Sequence, residues 1–134
     1  MITVDANVIA YLFLQNEFTP LAIQVFEKDP DWYAPILWQS EFRNILINYY
    51  RKKLLTLDNI QKIADEAHNL MANHEQLISS DAVLELAAKS RCTAYDCEYV
   101  ALAKEMALLL VTFDKDVIRD FPRIAALPQN FLRS

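Results

Sequence analysis

The chain has 134 residues and not one glycine, where ordinary usage of about 7% would supply roughly nine. That absence excludes every phosphate site built on glycine: a Walker-type loop, a G-x-G-x-x-G dinucleotide turn, a G-x-S-x-G nucleophile elbow and a standard EF-hand loop. Thirteen Lys and Arg against eighteen Asp and Glu leave a net charge of −5, the opposite of the basic footprint usual in nucleic-acid binders.

The length suits one domain, residues 1–134, with a core of its own. The uninterrupted apolar stretches, Met106 to Val111 among them, fall far short of the ~20 residues that span a membrane. Met1-Ile2-Thr3-Val4-Asp5 has no basic region and reads directly as structure, so no secretory signal and a cytoplasmic location are expected. Cys92 and Cys97 fit neither a zinc nor a disulfide framework.

In chain order, Ile2 to Val4 reads as a short buried strand, and Asn7 is placed to cap a helix over Val8 to Leu14. Pro20 opens a second helix, with Leu21, Val25 and Phe26 apolar, that ends near Asp29-Pro30. Trp32-Tyr33-Ala34 reads as a strand. Leu37 to Lys53 carries Trp38, Phe42, Ile45, Leu46 and Tyr49 at helical spacing, with Arg51, Lys52 and Lys53 where cations suit the helix dipole. Thr56 caps a helix from Leu57 to about Asn73. Gln76-Leu77-Ile78 suggests a strand, and Asp81 to Lys89 and Ala94 to Met106 two further helices. Leu108 to Phe113, apolar without alternation, suits a parallel strand covered on both faces. A helical piece at Asp116 to Asp120 and a strand at Ile124 to Leu127 complete the chain. Helices joining short apolar strands predict a three-layer α/β/α sandwich on a mostly parallel sheet.

Four acids stand where solvent is not expected. Asp5 and Asp114 each end a strand at the turn into a helix, and ligands of open parallel sheets bind outside those strand ends. Glu41 shares a helical face with Asn44, Ile45 and Asn48 beside Leu37 and Trp38, and a carboxylate there must be neutralised, paired or metal-bound. Asp96 aligns with the apolar Tyr99, Val100 and Ala103. Each has a simpler reading. Thr93-Ala94-Tyr95-Asp96 has the form of a capping box, Asp114 suits a helix cap, Asp5 suits a turn, and Glu41 could pair with Arg43 or an arginine elsewhere. Capping, however, does not require all four to face one end of a sheet.

Four stretches carry a resemblance: Val4-Asp5-Ala6-Asn7-Val8-Ile9, Ser40-Glu41-Phe42-Arg43-Asn44, Tyr95-Asp96-Cys97-Glu98-Tyr99-Val100-Ala101-Leu102-Ala103, and Val111-Thr112-Phe113-Asp114-Lys115-Asp116. In this order, and over essentially the whole chain, the sequence resembles the PIN-domain ribonucleases, in particular the VapC-type toxins of toxin–antitoxin pairs. The resemblance implies that Asp5, Glu41, Asp96 and Asp114 are the catalytic, metal-binding acids. Asn7 and Thr112 fall at supporting polar positions, and Asp116 at that of an additional acid. It also implies endonucleolytic cleavage of RNA, a cognate antitoxin, a homodimer, and glycine at two helix exits that Arg91 and Ala107 occupy here. A catalytically silent PIN-like interaction module is the alternative, though such a module has no need of four mutually repelling acids.

Clustered carboxylates repel, and hard oxygen ligands favour one or two Mg²⁺ or Mn²⁺ ions over zinc. His68 and His74 fall on a polar stretch and read as surface residues. Without the four acids, thirteen basic residues face fourteen acidic ones, a net of −1, which two divalent ions would equally restore. RNA contacts would then fall to Arg43, Arg51, Lys52, Lys53, Lys115, Arg119 and Arg123. Two other magnesium-using classes fit poorly. A haloacid-dehalogenase-type phosphatase needs Asp-x-Asp where Asp5-Ala6-Asn7 stands, and a receiver domain needs an acid at the strand end occupied by Ala34-Pro35.

Overall fold

The computed structural model describes residues 1–134. Five strands, β1 (Ile2–Val4), β2 (Trp32–Pro35), β3 (Glu75–Gln76), β4 (Leu110–Val111) and β5 (Ala125–Ala126), form one sheet in the order β3-β2-β1-β4-β5. Every pairing is parallel, so the sheet expected to be mostly parallel is wholly so. Eight helices connect and flank it: α1 (Ala6–Phe13), α2 (Thr19–Lys28), α3 (Trp38–Arg51), α4 (Leu57–Met71), α5 (Ser80–Ala88), α6 (Ala94–Met106), α7 (Lys115–Asp120) and α8 (Pro128–Arg133).

The strand order places the site. From β1 the chain steps outward to β2 and β3, then returns through α5 and α6 to lay β4 on the opposite flank of β1. Right-handed crossovers put the two runs of helices on opposite faces, giving three layers, and open a crevice beyond the carboxyl ends of β1 and β4. Register joins the walls: Thr3 pairs with Leu110 and Val4 with Val111, so Asp5 leaves the sheet beside Thr112. Helix α6 packs on β1, β2 and β4, and its Val100, Leu102 and Ala103 are fully buried. On the other face α4 reaches β2, and Trp32, Trp38, Phe42 and Met71 fill the interior.

Several boundaries depart from the sequence reading. Asp5 rather than Asn7 caps α1: its side chain accepts from the Val8 amide, and Asn7 is an exposed residue of the first turn. The long apolar run contributes only Leu110–Val111 to the ladder, because the Leu108 amide bonds back to Ala103 at the exit of α6. Strand β3 sits one residue earlier than expected, and Leu77 is 84% exposed. This edge strand is polar because the Glu75 carboxylate accepts from the Trp38 indole and from Gln39 Nε2 at 2.7 Å. Helix α5 starts at Ser80, one residue before the expected Asp81, with Ser79 as its cap. Helix α8 was not anticipated. Its Phe131 is buried, Lys28 Nζ lies 4.5 Å from that ring, and the same ammonium donates to the carbonyls of Phe131 and Ser134.

Candidate active site

Asp5, Glu41, Asp96 and Asp114 line one cavity of about 440 Å³ at the crevice between β1 and β4. Buried Ala6, Tyr99, Leu110, Thr112 and Val117 form its floor, and exposed Asn7, Ser40, Asn44 and Tyr95 its mouth. The lining contains no lysine, arginine or histidine. The four acids therefore face one another across a partly buried space with no protein cation between them.

Three of the acids also serve helix N-termini, so the two readings of each are compatible. One oxygen of Asp5 (Oδ1) accepts from the Val8 amide at 3.0 Å, and the other from the hydroxyl of buried Thr112. Asp96 closes the capping box of α6: its amide donates to Thr93 Oγ1, and its Oδ2 accepts from the Thr93 amide at 3.3 Å. Asp114 Oδ1 caps α7 by accepting from the amides of Asp116 and Val117, while its own amide donates to Thr112 Oγ1 at 3.0 Å. Thr112 thus joins two of the acids. Capping uses one oxygen of each carboxylate, and helix N-termini favour the negative charge.

Glu41 is held differently. It occupies the first turn of α3, and the hydroxyl of buried Tyr99 donates to its Oε1 at 2.5 Å. Arg43 is exposed and donates to Gln39 Oε1, so it does not pair with Glu41. Sequence reading placed Tyr99 on the apolar face of α6 and missed this bond. The available signal was its spacing, three residues after Asp96 on the same helical face.

The electrostatics follow from this enclosure. Burial pushes the Asp5 carboxyl up to about 6; bonds from Thr112 and Val8 oppose the rise, and the charges of Glu41 and Asp114 add to it. Burial also raises Glu41, against the bond from Tyr99 and together with the charge of Asp96. Glu98, partly buried on α6 outside the cavity, is raised by burial and by Glu41. Desolvation and like charges make the ionised cluster costly until a cation enters.

Asp96 Oδ1, Asp114 Oδ2 and Glu41 Oε2 have no protein donor. These are hard oxygen ligands, the donor set for Mg²⁺ or Mn²⁺. No three His, Cys, Asp or Glu side chains converge closely enough to make a ready-formed cage. Magnesium ordinarily keeps several of its waters, so a wide, wet ring of carboxylates suits it better than a tight one.

The remaining sequence candidates lie outside. Asp116 is exposed and pairs with Arg119 Nη1 at 2.9 Å. Arg119 also donates to Asp120 at 2.8 Å, which leaves little of it free for another anion. Lys115 is exposed, without an ion-pair partner, beside Asp114. Arg51, Lys52 and Lys53 are exposed at the far end of α3, Arg51 about 15 Å along the axis from Glu41. The two histidines are half-buried rather than surface residues: His68 packs on Trp38, and His74 Nε2 meets Asp31 Oδ1 at 2.9 Å. Both cysteines are free thiols, and burial together with Asp120 pushes Cys92 up to about 12.

A parallel sheet whose carboxyl-end crevice is lined by four acids agrees with what comparison with known proteins finds. The chain belongs to the PIN-domain family, whose sequence model matches residues 2–127. It is similar to Ribonuclease VapC3 of Pyrobaculum aerophilum, at 28% identity over 127 residues that cover 92% of this chain and 96% of that protein. Among solved structures it resembles PAE2754 from Pyrobaculum aerophilum with a TM-score of 0.68 and 19% identity, over 98% of this chain and 92% of the other. No helix is long and apolar enough to cross a membrane.

Proposed function

We propose that the chain is a divalent-metal-dependent endoribonuclease and the toxin of a type II toxin–antitoxin pair, acting in the cytoplasm. The observation that carries this reading is the convergence of Asp5, Glu41, Asp96 and Asp114 on a cavity with no protein cation. Membership of the PIN family and the likeness to a VapC ribonuclease support the choice of RNA as substrate. The cognate antitoxin and the homodimer rest on that likeness alone.

In this reading Asp5, Glu41, Asp96 and Asp114 hold one or two Mg²⁺ or Mn²⁺ ions. Held there, an ion would supply an acidified water as nucleophile and charge neutralisation at the leaving oxygen of a phosphodiester. The chain's own contribution is placement. Thr112 and the Val8 amide orient Asp5, Tyr99 orients Glu41, and Thr93 with the α6 N-terminus orients Asp96. Asn7, Ser40 and Asn44 at the mouth supply uncharged hydrogen-bonding groups that a phosphate chain tolerates beside the acids.

The test compares wild type with Asp5→Asn, both shown to be folded, for growth on expression and for RNA cleavage during a Mg²⁺ or Mn²⁺ titration. The reading requires metal-dependent cleavage and growth arrest by wild type, both lost in the variant. Cleavage by neither protein, or equal cleavage by both, overturns it. Calorimetry with Mn²⁺ that shows no binding to the folded wild type would favour an interaction module.

A further inference from the structure

We propose that Tyr95 is the nucleobase contact of this site, a ring on which one base of the bound chain stacks beside the reacting phosphate. The inference rests on the nucleic-acid reading above and extends it from the reaction to the way substrate is gripped. Tyr95 lies in the first turn of α6, next to Asp96, and lines the same cavity as the four acids. It is 63% exposed. It stacks on no other aromatic ring of the protein, and its hydroxyl makes no hydrogen bond. By contrast Tyr99, one turn further along α6, is buried and bonded to Glu41.

The lining explains why this ring matters. A polyanion approaching four carboxylates finds no Lys or Arg in the cavity wall. Exposed Asn7, Ser40 and Asn44 are small and polar, so Tyr95 is the one large planar surface at the mouth. Stacking on an aromatic ring requires no charge and tolerates any base, because every base has a π face. The nearest exposed cations without an ion-pair partner, Arg43 and Lys115, are chain neighbours of lining residues but not part of the cavity wall, and cations of this kind suit the phosphate backbone, which leaves the bases to a ring.

The experiment uses the whole protein as wild type, Tyr95→Ala, Tyr95→Leu and Tyr95→Trp, with Leu84→Ala, an exposed position on α5, as control. Two probes of equal length are compared: a labelled single-stranded RNA and a labelled abasic ribose–phosphate chain. Anisotropy gives the dissociation constants, and cleavage of the RNA in Mn²⁺ gives KM and kcat. Stacking predicts that Tyr95→Ala and Tyr95→Leu raise the RNA dissociation constant and KM by about 5- to 150-fold. Tyr95→Trp restores tight binding, Leu84→Ala stays at the wild-type value, and affinity for the abasic chain is the same throughout. Unchanged RNA affinity in Tyr95→Ala, equal losses on both probes, or a leucine as good as tryptophan overturns the proposal. The parent reading fails separately: RNA that binds through Tyr95 but is never cut, in any metal, overturns the hydrolase and leaves the stacking contact standing.

Discussion

Tyr99 donates its phenolic proton to Glu41 across 2.5 Å, joining α6 to α3 over 58 positions of sequence. It is the only side-chain bond to Glu41, and it lowers a carboxyl that burial raises. Tyr99→Phe keeps the ring and removes the donor. Loss of a hydrogen bond to a charged group costs about 1.5–3 kcal/mol in stability, measured by denaturant unfolding. Glu41 then titrates higher, so if its ionised form serves the reaction, the acidic limb of the pH–rate profile moves to higher pH. A profile that keeps its acidic limb in place would show that Tyr99 only fills space.

Asp5 sets a pH dependence whose sign is fixed by its elevated carboxyl. A folded value near 6, above the unfolded 3.8, means that the native state takes up the proton first. Between these values the native state holds more protons, so the contribution of Asp5 to stability declines as pH rises from about 4 to about 6 and stays low above that. Asp5→Asn removes this dependence while its amide oxygen still accepts from Val8. With chelator present, the variant should melt above wild type at pH 7.5, and the gap should close as pH falls to 4.5. A constant gap across that range would contradict the assignment.

Metal should reverse that order. An ion that binds the folded carboxylates and not the unfolded chain adds about 2.7 kcal/mol at one hundred times its dissociation constant. Mn²⁺ or Mg²⁺ should therefore raise the melting temperature of wild type above that of Asp5→Asn and Asp114→Asn, and Ca²⁺ or chelator should show whether the effect follows the ion. Equal shifts in all three proteins would place the ion outside the cavity.

Ala107 adopts a left-handed conformation, φ 56° and ψ 43°, at the exit of α6, where the family resemblance implies glycine. Arg91, the other such position, has no positive φ. Ala107→Gly should stabilise the protein by about 1 kcal/mol. That corresponds to a melting temperature roughly 4 °C higher for a chain of this size. A fall in melting temperature would show that the Ala107 methyl makes contacts worth more than its backbone strain.

Much of the fold was legible because its cues are local. Thr93 announced its helix through a capping box and Thr56 through a simple cap, which Asn59 turns into a box in the fold. The limits of α6 fall where periodicity put them, Ala94 to Met106. What failed was also local in form but decided at a distance. Asn7 and Asp5 are both good caps, and the choice fell to Asp5 because register with β4 sets it beside Thr112. Helix α8, six residues long, has too few turns for a periodic signal and is held by Lys28 from the far side of the chain.

The same division applies to the site. The four acids could be read from the chain, Asp5 and Asp114 at strand ends and Glu41 and Asp96 on helices, because a charge beside an apolar stripe or at the end of a buried strand is conspicuous wherever it occurs. Their convergence required the β3-β2-β1-β4-β5 order, which brings β1 and β4 together across more than one hundred residues. The tertiary fold also decided that Glu41 is tethered by Tyr99, that Arg43 bonds to Gln39 instead, and that no basic side chain lines the cavity. Composition and spacing determine which charges must be satisfied. Only the packed chain decides which partner is near enough to satisfy them, since hydrogen bonds and buried charges act over a few ångströms and are blind to sequence distance.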